Sequence, residues 1–163
     1  LIRIPASIEV TPRQAVESSE LPGLFPRGTR VYLTDIGNEP LDILIMAARR
    51  VRDLGYDPVP HFAARRVKSR AEFELRVKRS AEDAGVTDVL VIGGGLQRPA
   101  GEFSSAMDLI GTGLFGQNGI TDIAVAGHPE GSPDFNEATA LDALRLKQQF
   151  AERNGARLRI VTQ

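Results

Sequence analysis

Polar and titratable residues recur at the ends of short apolar runs along this chain. They are Glu9 near the end of ASIEV, Thr34 and Asp35 in RVYLTDI, His61 after Pro60, and Gly93-Gly94-Gly95 after DVLVI. His128 and Glu130 follow DIAVA, and Thr162 and Gln163 close RLRIVTQ. Glu9 lies between Ile8 and Val10. A carboxyl in apolar surroundings and facing an organic ligand loses hydration, which favours its protonated form and suits a general acid near neutral pH. The competing structural reading has Glu9 capping the next helix or pairing with Arg13. His61 reads as a ligand contact rather than a base, against a hydrogen-bonded wall histidine. The three glycines let backbone approach a flat ligand without a Cβ, against a loose loop. His128-Pro129-Glu130 is either loop punctuation or a cofactor contact, since a helix opening after Asp134 offers free N–H groups to a phosphate. Arg65, Arg66, Lys68 and Arg70 could meet phosphates, but a solvated helix start is the better reading of that cluster.

Composition narrows the chemistry. The 163 residues suffice for one domain with its own core, and 42% hydrophobic with 25% charged residues is ordinary for a soluble globular chain. No cysteine is present, which removes disulfides, thiolate metal sites and a cysteine nucleophile, and two histidines argue against a zinc site built mainly from imidazole. A net charge of −1 gives no electrostatic reason for a nucleic-acid partner. No apolar run approaches the roughly 18–20 residues that cross a bilayer, and the first residues lack the layout of a signal peptide. The expected location is the cytoplasm.

The elements that must position these residues alternate. Residues 6–10, 30–36, 58–62, 88–92, 122–126 and 157–162 read as strands. Helical spacing covers 41–54, with Gly55 as its C-terminal stop, and 69–84, where Ser69 and Glu72 form a capping-box pattern. Further helices are expected at 105–114 and 136–153. The β-α-β-α order predicts a parallel sheet with helical crossovers. The first βα turn, Thr11-Pro12-Arg13-Gln14, has no G-x-G-x-x-G fingerprint, which counts against a dinucleotide-binding open sheet. Polar residues at nearly every strand end favour a TIM-type (β/α)8 barrel, whose sites are built from strand ends all round the ring. Such a barrel needs about 200–250 residues, so the chain is expected to supply about the first six strands of a single β/α-barrel domain, with two βα units to follow.

Ala126-Gly127-His128-Pro129-Glu130-Gly131-Ser132-Pro133 resembles the His-Pro-Glu segment of methylenetetrahydrofolate reductases. Pro60-His61-Phe62 is similar to that family's Pro-His strand end, Val161-Thr162-Gln163 to its Thr-Gln, and Ser7-Ile8-Glu9-Val10 to its first-strand Phe-Glu-Phe signature. The matches run in the family's order and spacing over most of the chain. The resemblance implies a flavin adenine dinucleotide (FAD) barrel in which a reduced nicotinamide gives hydride to the flavin, and the flavin gives it to methylenetetrahydrofolate. It implies Glu9 as the acid that opens the methylene bridge to an iminium ion, and Gln163 as a folate contact. Thr34 and Asp35 would line the nicotinamide and flavin, His61 and His128 would contact flavin, and Asp142 and Lys147 would sit near the ribose- and phosphate-binding positions. There are two departures. Gly93-Gly94-Gly95 stands where the family commonly has Arg-Gly-Asp, and Ser132 replaces a common histidine.

The expected function is therefore the NAD(P)H-dependent reduction of methylenetetrahydrofolate to methyltetrahydrofolate. A folate-binding methyltransferase or demethylation partner, and a non-catalytic binder of folate or flavin, are the alternatives, because fold alone does not decide function. Expected partners are the folate and NAD(P)H, with self-association into a homo-oligomer open.

Overall fold

The six apolar runs become six strands of one parallel sheet, in the spatial order β1-β2-β3-β4-β5-β6. The computed structural model describes residues 6–127 and 136–162. In chain order these hold β1 (Ile8–Val10), α1 (Pro12–Glu17), β2 (Arg30–Leu33), α2 (Leu41–Asp53), β3 (Asp57–Ala63), a 3-10 turn (Ala64–Arg66), α3 (Arg70–Glu82) and β4 (Asp88–Ile92). There follow α4 (Ala106–Ile110), α5 (Leu114–Gln117), β5 (Asp122–Ala126), α6 (Glu137–Asn154) and β6 (Arg157–Val161).

Strand side chains alternate between two faces, and the two faces are covered differently. Val31, Leu33, Phe62, Val89, Val91, Ile123 and Val125 join Ile45, Val51, Phe73, Val77, Leu109 and Phe115 from the helices in the larger core. Phe73 and Phe115 meet Phe62 edge-on at 5.9 and 5.2 Å between ring centres. The residues of opposite parity, Tyr32, Val59, Leu90 and Ala124 with Ile92 and Val161, form a second cluster made of strand residues alone. An open doubly wound sheet has helices on both faces and a reversal of strand order. Among the described residues neither is present: the order runs without reversal and the helices line one face.

The elements differ from the sequence reading in places that local chemistry explains. The first βα turn is a helix, because Thr11 caps it, Gln14 closes a reciprocal capping box and Pro12 occupies a first-turn position that needs no N–H. At α3, Ser69 Oγ accepts the Glu72 N–H at 3.2 Å, but the Glu72 carboxylate reaches one residue further back, to the Lys68 N–H at 2.9 Å. β2 ends at Leu33, so Thr34 and Asp35 lie beyond the strand. The single helix expected at 105–114 is two short ones, parted at Gly111 and Gly113, the latter at φ +74°. β3 contains Pro58 and Pro60, which carry no N–H. Its pairing with β4 accordingly starts only at His61 opposite Leu90.

Candidate functional site

Register fixes which residues can meet. Glu9 lies beside Tyr32, and Tyr32 beside Val59, so Glu9 is on the face that carries no helices. His61, two residues past Val59, shares that face by parity. The two meet at the C-terminal end of the sheet, with Glu9 Oε2 3.5 Å from His61 Nε2.

His61 is buried, 6% exposed, and among the described residues its Nε2 makes no hydrogen bond, with Glu9 Oε2 nearby at 3.5 Å. Burial pushes its pKa down to about 4; the carboxylate of Asp35 opposes that shift and the nearby Arg76 cation adds to it. The ring is therefore neutral at physiological pH. Tyr32 stands edge-on to it at 6.0 Å.

Glu9 performs neither of the structural tasks that compete for it. The following helix is capped by Thr11 and Gln14, and Arg13 pairs with Glu39 at 2.9 Å. The dehydrated setting expected for Glu9 is not provided by the described residues: its side chain is 47% exposed. The carboxyl thus stands open on one side, with buried imidazole on the other.

Thr34 Oγ1 is also buried and, among the described residues, without a hydrogen-bond partner. Asp35, by contrast, is fully engaged. One oxygen accepts from Arg76 at 2.7 Å and from the Ala63 N–H at 3.3 Å, and the other accepts from the Gly37 N–H at 3.2 Å. Arg76 also donates to the His61 carbonyl and lies over the Phe62 ring at 4.5 Å. It therefore ties the ends of β2 and β3 to α3. Nothing in RAEFELRVKRSAE distinguishes Arg76 from its basic neighbours, and the sequence reading missed it.

The three glycines separate by geometry. Gly94 has φ +86°, and a Cβ there would lie 3.2 Å from the Ala63 Cβ. Gly93 and Gly95 lack positive φ and have open space where a side chain would go. The Gly93 carbonyl accepts from the Arg65 N–H at 2.9 Å. The Arg65 side chain donates to the Leu96 and Ser104 carbonyls, and Arg66 donates to that of Ile36. These two arginines staple neighbouring loops, which accounts for half of the basic cluster noted in the sequence.

Asp142 and Lys147 both lie on α6. Five residues apart, they point about 140° away from each other round the helix. Asp142 is exposed and bridges to Arg145, whereas Lys147 is half-buried with its pKa lowered by desolvation. His128, Glu130, Ser132 and Gln163 lie outside the described residues.

A second polar group on the same face, toward the N-terminal strand ends, escaped the sequence reading. Asp88 is 8% exposed and accepts from Arg30 at 3.2 Å and from Arg159 at 3.0 Å, and Arg159 also reaches the Tyr32 hydroxyl at 3.2 Å. Arg157 grips both oxygens of Asp122. The available signal was the period-two alternation of Arg157 and Arg159 with Leu158 and Ile160. Beside this group a cavity of about 680 Å³ is lined by Ala6 and Ser7 leading into β1, by residues 25–30 and Tyr32, and by residues 159–162 of β6 and its end. The two edges of the sheet thus face one common space.

Among the described residues no group of three or more His, Cys, Asp or Glu side chains is placed to hold a metal ion, and no helix is long and apolar enough to cross a membrane. The arrangement at the C-terminal rim sets a half-exposed carboxyl beside a buried, neutral imidazole. It also offers unpaired polar atoms and bare backbone to a ligand. No family model matches the chain.

Proposed function

We propose that this chain carries the catalytic rim of a flavin-dependent reductase that converts methylenetetrahydrofolate to methyltetrahydrofolate with NAD(P)H. The observation that carries the reading is the placement of Glu9 on the helix-free face, half exposed and 3.5 Å from the buried, unpaired Nε2 of His61. An acid for a bulky ligand needs a carboxyl that is open on one side and held on the other, and among the described residues Glu9 neither caps α1 nor pairs with Arg13.

The residues present fit a flat cofactor such as FAD. Thr34 Oγ1 is a buried polar atom with no hydrogen-bond partner among the described residues, and burying such an atom unpaired costs roughly 1–3 kcal/mol. Gly93 and Gly95 leave backbone bare at the same strand ends. When bound, the flavin would take a hydride from the nicotinamide and pass it to the folate. Thr34, His61 and Gly93–Gly95 would hold it, with Asp35 bracing the rim through Arg76. Asp142, Lys147, His128 and Ser132 enter as cofactor contacts, and Gln163 as a folate contact, through the family resemblance. Glu9 gives its proton to the folate as the methylene bridge opens.

The fold reading belongs to the same proposal. Sequential strand order, helices on one face and two sheet edges facing one cavity support a (β/α)8 barrel closed by two further βα units.

The test is Glu9→Gln in the complete flavoprotein, followed by stopped-flow. Flavin binding and reduction by NAD(P)H should persist, while reoxidation by methylenetetrahydrofolate falls by on the order of 10²–10⁴, the usual cost of a proton-transfer group. Reoxidation at the normal rate removes Glu9 from the mechanism, and a colourless wild-type protein removes the flavin.

A further inference from the structure

His61 is surrounded by four groups that could set its state. Glu9 comes from β1, Tyr32 and Asp35 from β2 and its end, and Arg76 from α3. Asp35 spends its oxygens on Arg76 and on two backbone N–H groups. Arg76 spends its own donors on Asp35 and on the His61 carbonyl. Tyr32 presents a ring edge and sends its hydroxyl toward Arg159. Glu9 Oε2 is left as the oxygen within 3.5 Å of the buried Nε2.

We propose that His61 is a positioning residue for the Glu9 proton: its neutral ring turns the Nε2–H on Glu9 Oε2 and closes the 3.5 Å approach to a hydrogen bond, which turns the other carboxyl oxygen, bearing the transferable proton, to the open side of the rim. The side chain's 47% exposure leaves that second oxygen room to meet a substrate. When the proton leaves, it passes from Glu9 to the substrate. The carboxylate left behind keeps the Nε2–H bond, which strengthens as charge develops on the acceptor. The imidazole gains and loses nothing, so no tautomer change or second proton is needed.

Neutrality of the ring is essential to this arrangement. An imidazole ordinarily outcompetes a carboxyl for a proton by about two pKa units. An ordinary Glu–His pair therefore settles as carboxylate and imidazolium, with no acid to give. Burial of His61 holds it neutral down to about pH 4, so the ring faces Glu9 as a neutral hydrogen-bond donor and not as an imidazolium.

The first arm of the test does not depend on the reductase reading. The chain has two histidines, His61 and His128, so ¹⁵N-imidazole NMR of the full chain is readily assigned with a His128→Asn variant. Near pH 7, His61 should carry its proton on Nε2, with that proton protected from exchange. Glu9→Gln, which keeps an acceptor oxygen, should preserve the protection, and Glu9→Ala should abolish it. A bare Nε2 in the wild type, or equal protection in all three proteins, overturns the proposal.

The second arm rests on the reductase reading. His61→Leu should slow flavin reoxidation by methylenetetrahydrofolate at least tenfold more than it slows reduction by NAD(P)H, and His61→Gln, which retains a donor, should recover part of that difference. Equal slowing of both steps makes His61 a cofactor contact only and also overturns the proposal. Failure of the NMR arm leaves the reductase reading intact, whereas failure of Glu9→Gln to affect folate reduction removes that reading and leaves the NMR result standing.

Discussion

The carboxylate of Asp35 and the guanidinium of Arg76 meet at 2.7 Å, with side chains only 5% and 13% exposed, and so lock the end of β2 to α3 directly behind His61. Removing one member of a buried pair strands the other charge, at a cost of about 3–5 kcal/mol. Arg76→Met should therefore lower unfolding stability by about that amount in a urea titration. It also frees the His61 carbonyl. The double variant Asp35→Asn/Arg76→Met should lose clearly less than Arg76→Met alone, because no charge is left unpaired. An additive loss would mean that the pair contributes mainly through packing on Phe62.

His61 gives stability a pH signature. Its folded pKa of about 4 lies below the ordinary 6.5, so between those values the unfolded chain binds the extra proton. Stability should accordingly fall as pH drops from about 6.5 toward 4, with no further loss from this group below that. Between pH 7 and pH 5 the contribution is about 2 kcal/mol. Urea midpoints at the two pH values should show this loss in wild type, and His61→Asn should lack it. An equal pH dependence in both proteins would assign the acid sensitivity to carboxylates instead.

The parts of this architecture set by short-range rules were readable in advance. Strands 88–92 and 122–126 coincide with the structure because their apolar runs are bounded by turn residues, and Gly55 marks the end of α2 through its positive φ. Glu9, Thr34 and His61 could be singled out because strand ends at one rim of a parallel sheet must gather. What stayed hidden depends on contacts distant in sequence. Asp35 looks like a free strand-end acid until α3 delivers Arg76 from 41 residues away. Arg159 looks like a surface strand residue until Asp88 and Tyr32 are found beside it. The exposure of Glu9 is likewise a property of how the sheet edges lie, which no local pattern encodes.

The two arginines of β6 should behave differently when truncated. The Arg159 side chain is 26% exposed and, with Arg30, holds the buried Asp88, whereas the Arg157 side chain is 76% exposed. Among the described residues Arg159→Met leaves Asp88 with Arg30 alone and the Tyr32 hydroxyl with no partner, which should cost about 1–3 kcal/mol. Arg157→Met removes a largely solvated partner and should cost at most about 1 kcal/mol. Unfolding titrations of the two variants check the order, and a reversal would mean that Arg30 alone satisfies Asp88.

The glycine run supplies the sharpest electrostatic test. Gly94 has φ +86° and sits against Ala63. Gly94→Ala should therefore cost roughly 1 kcal/mol or more, since a Cβ disfavours left-handed backbone. Gly95 has no positive φ and no atom within 4 Å of a built Cβ, so Gly95→Ala should be nearly silent in the same unfolding assay. That contrast makes Gly95→Asp readable as a change of charge rather than of fold. If the flavin lies over this strand end, a carboxylate there opposes the negative charge that reduction brings, whereas bare backbone N–H groups favour it. The flavin-loaded Gly95→Asp protein should then show a lower midpoint potential than wild type in a redox titration, with Gly95→Asn, similar in size and uncharged, close to wild type. An unchanged or higher potential in a folded, fully loaded Gly95→Asp protein would mean that the β4 end faces away from the flavin, and cofactor contact would have to be sought at Thr34 and His61 alone.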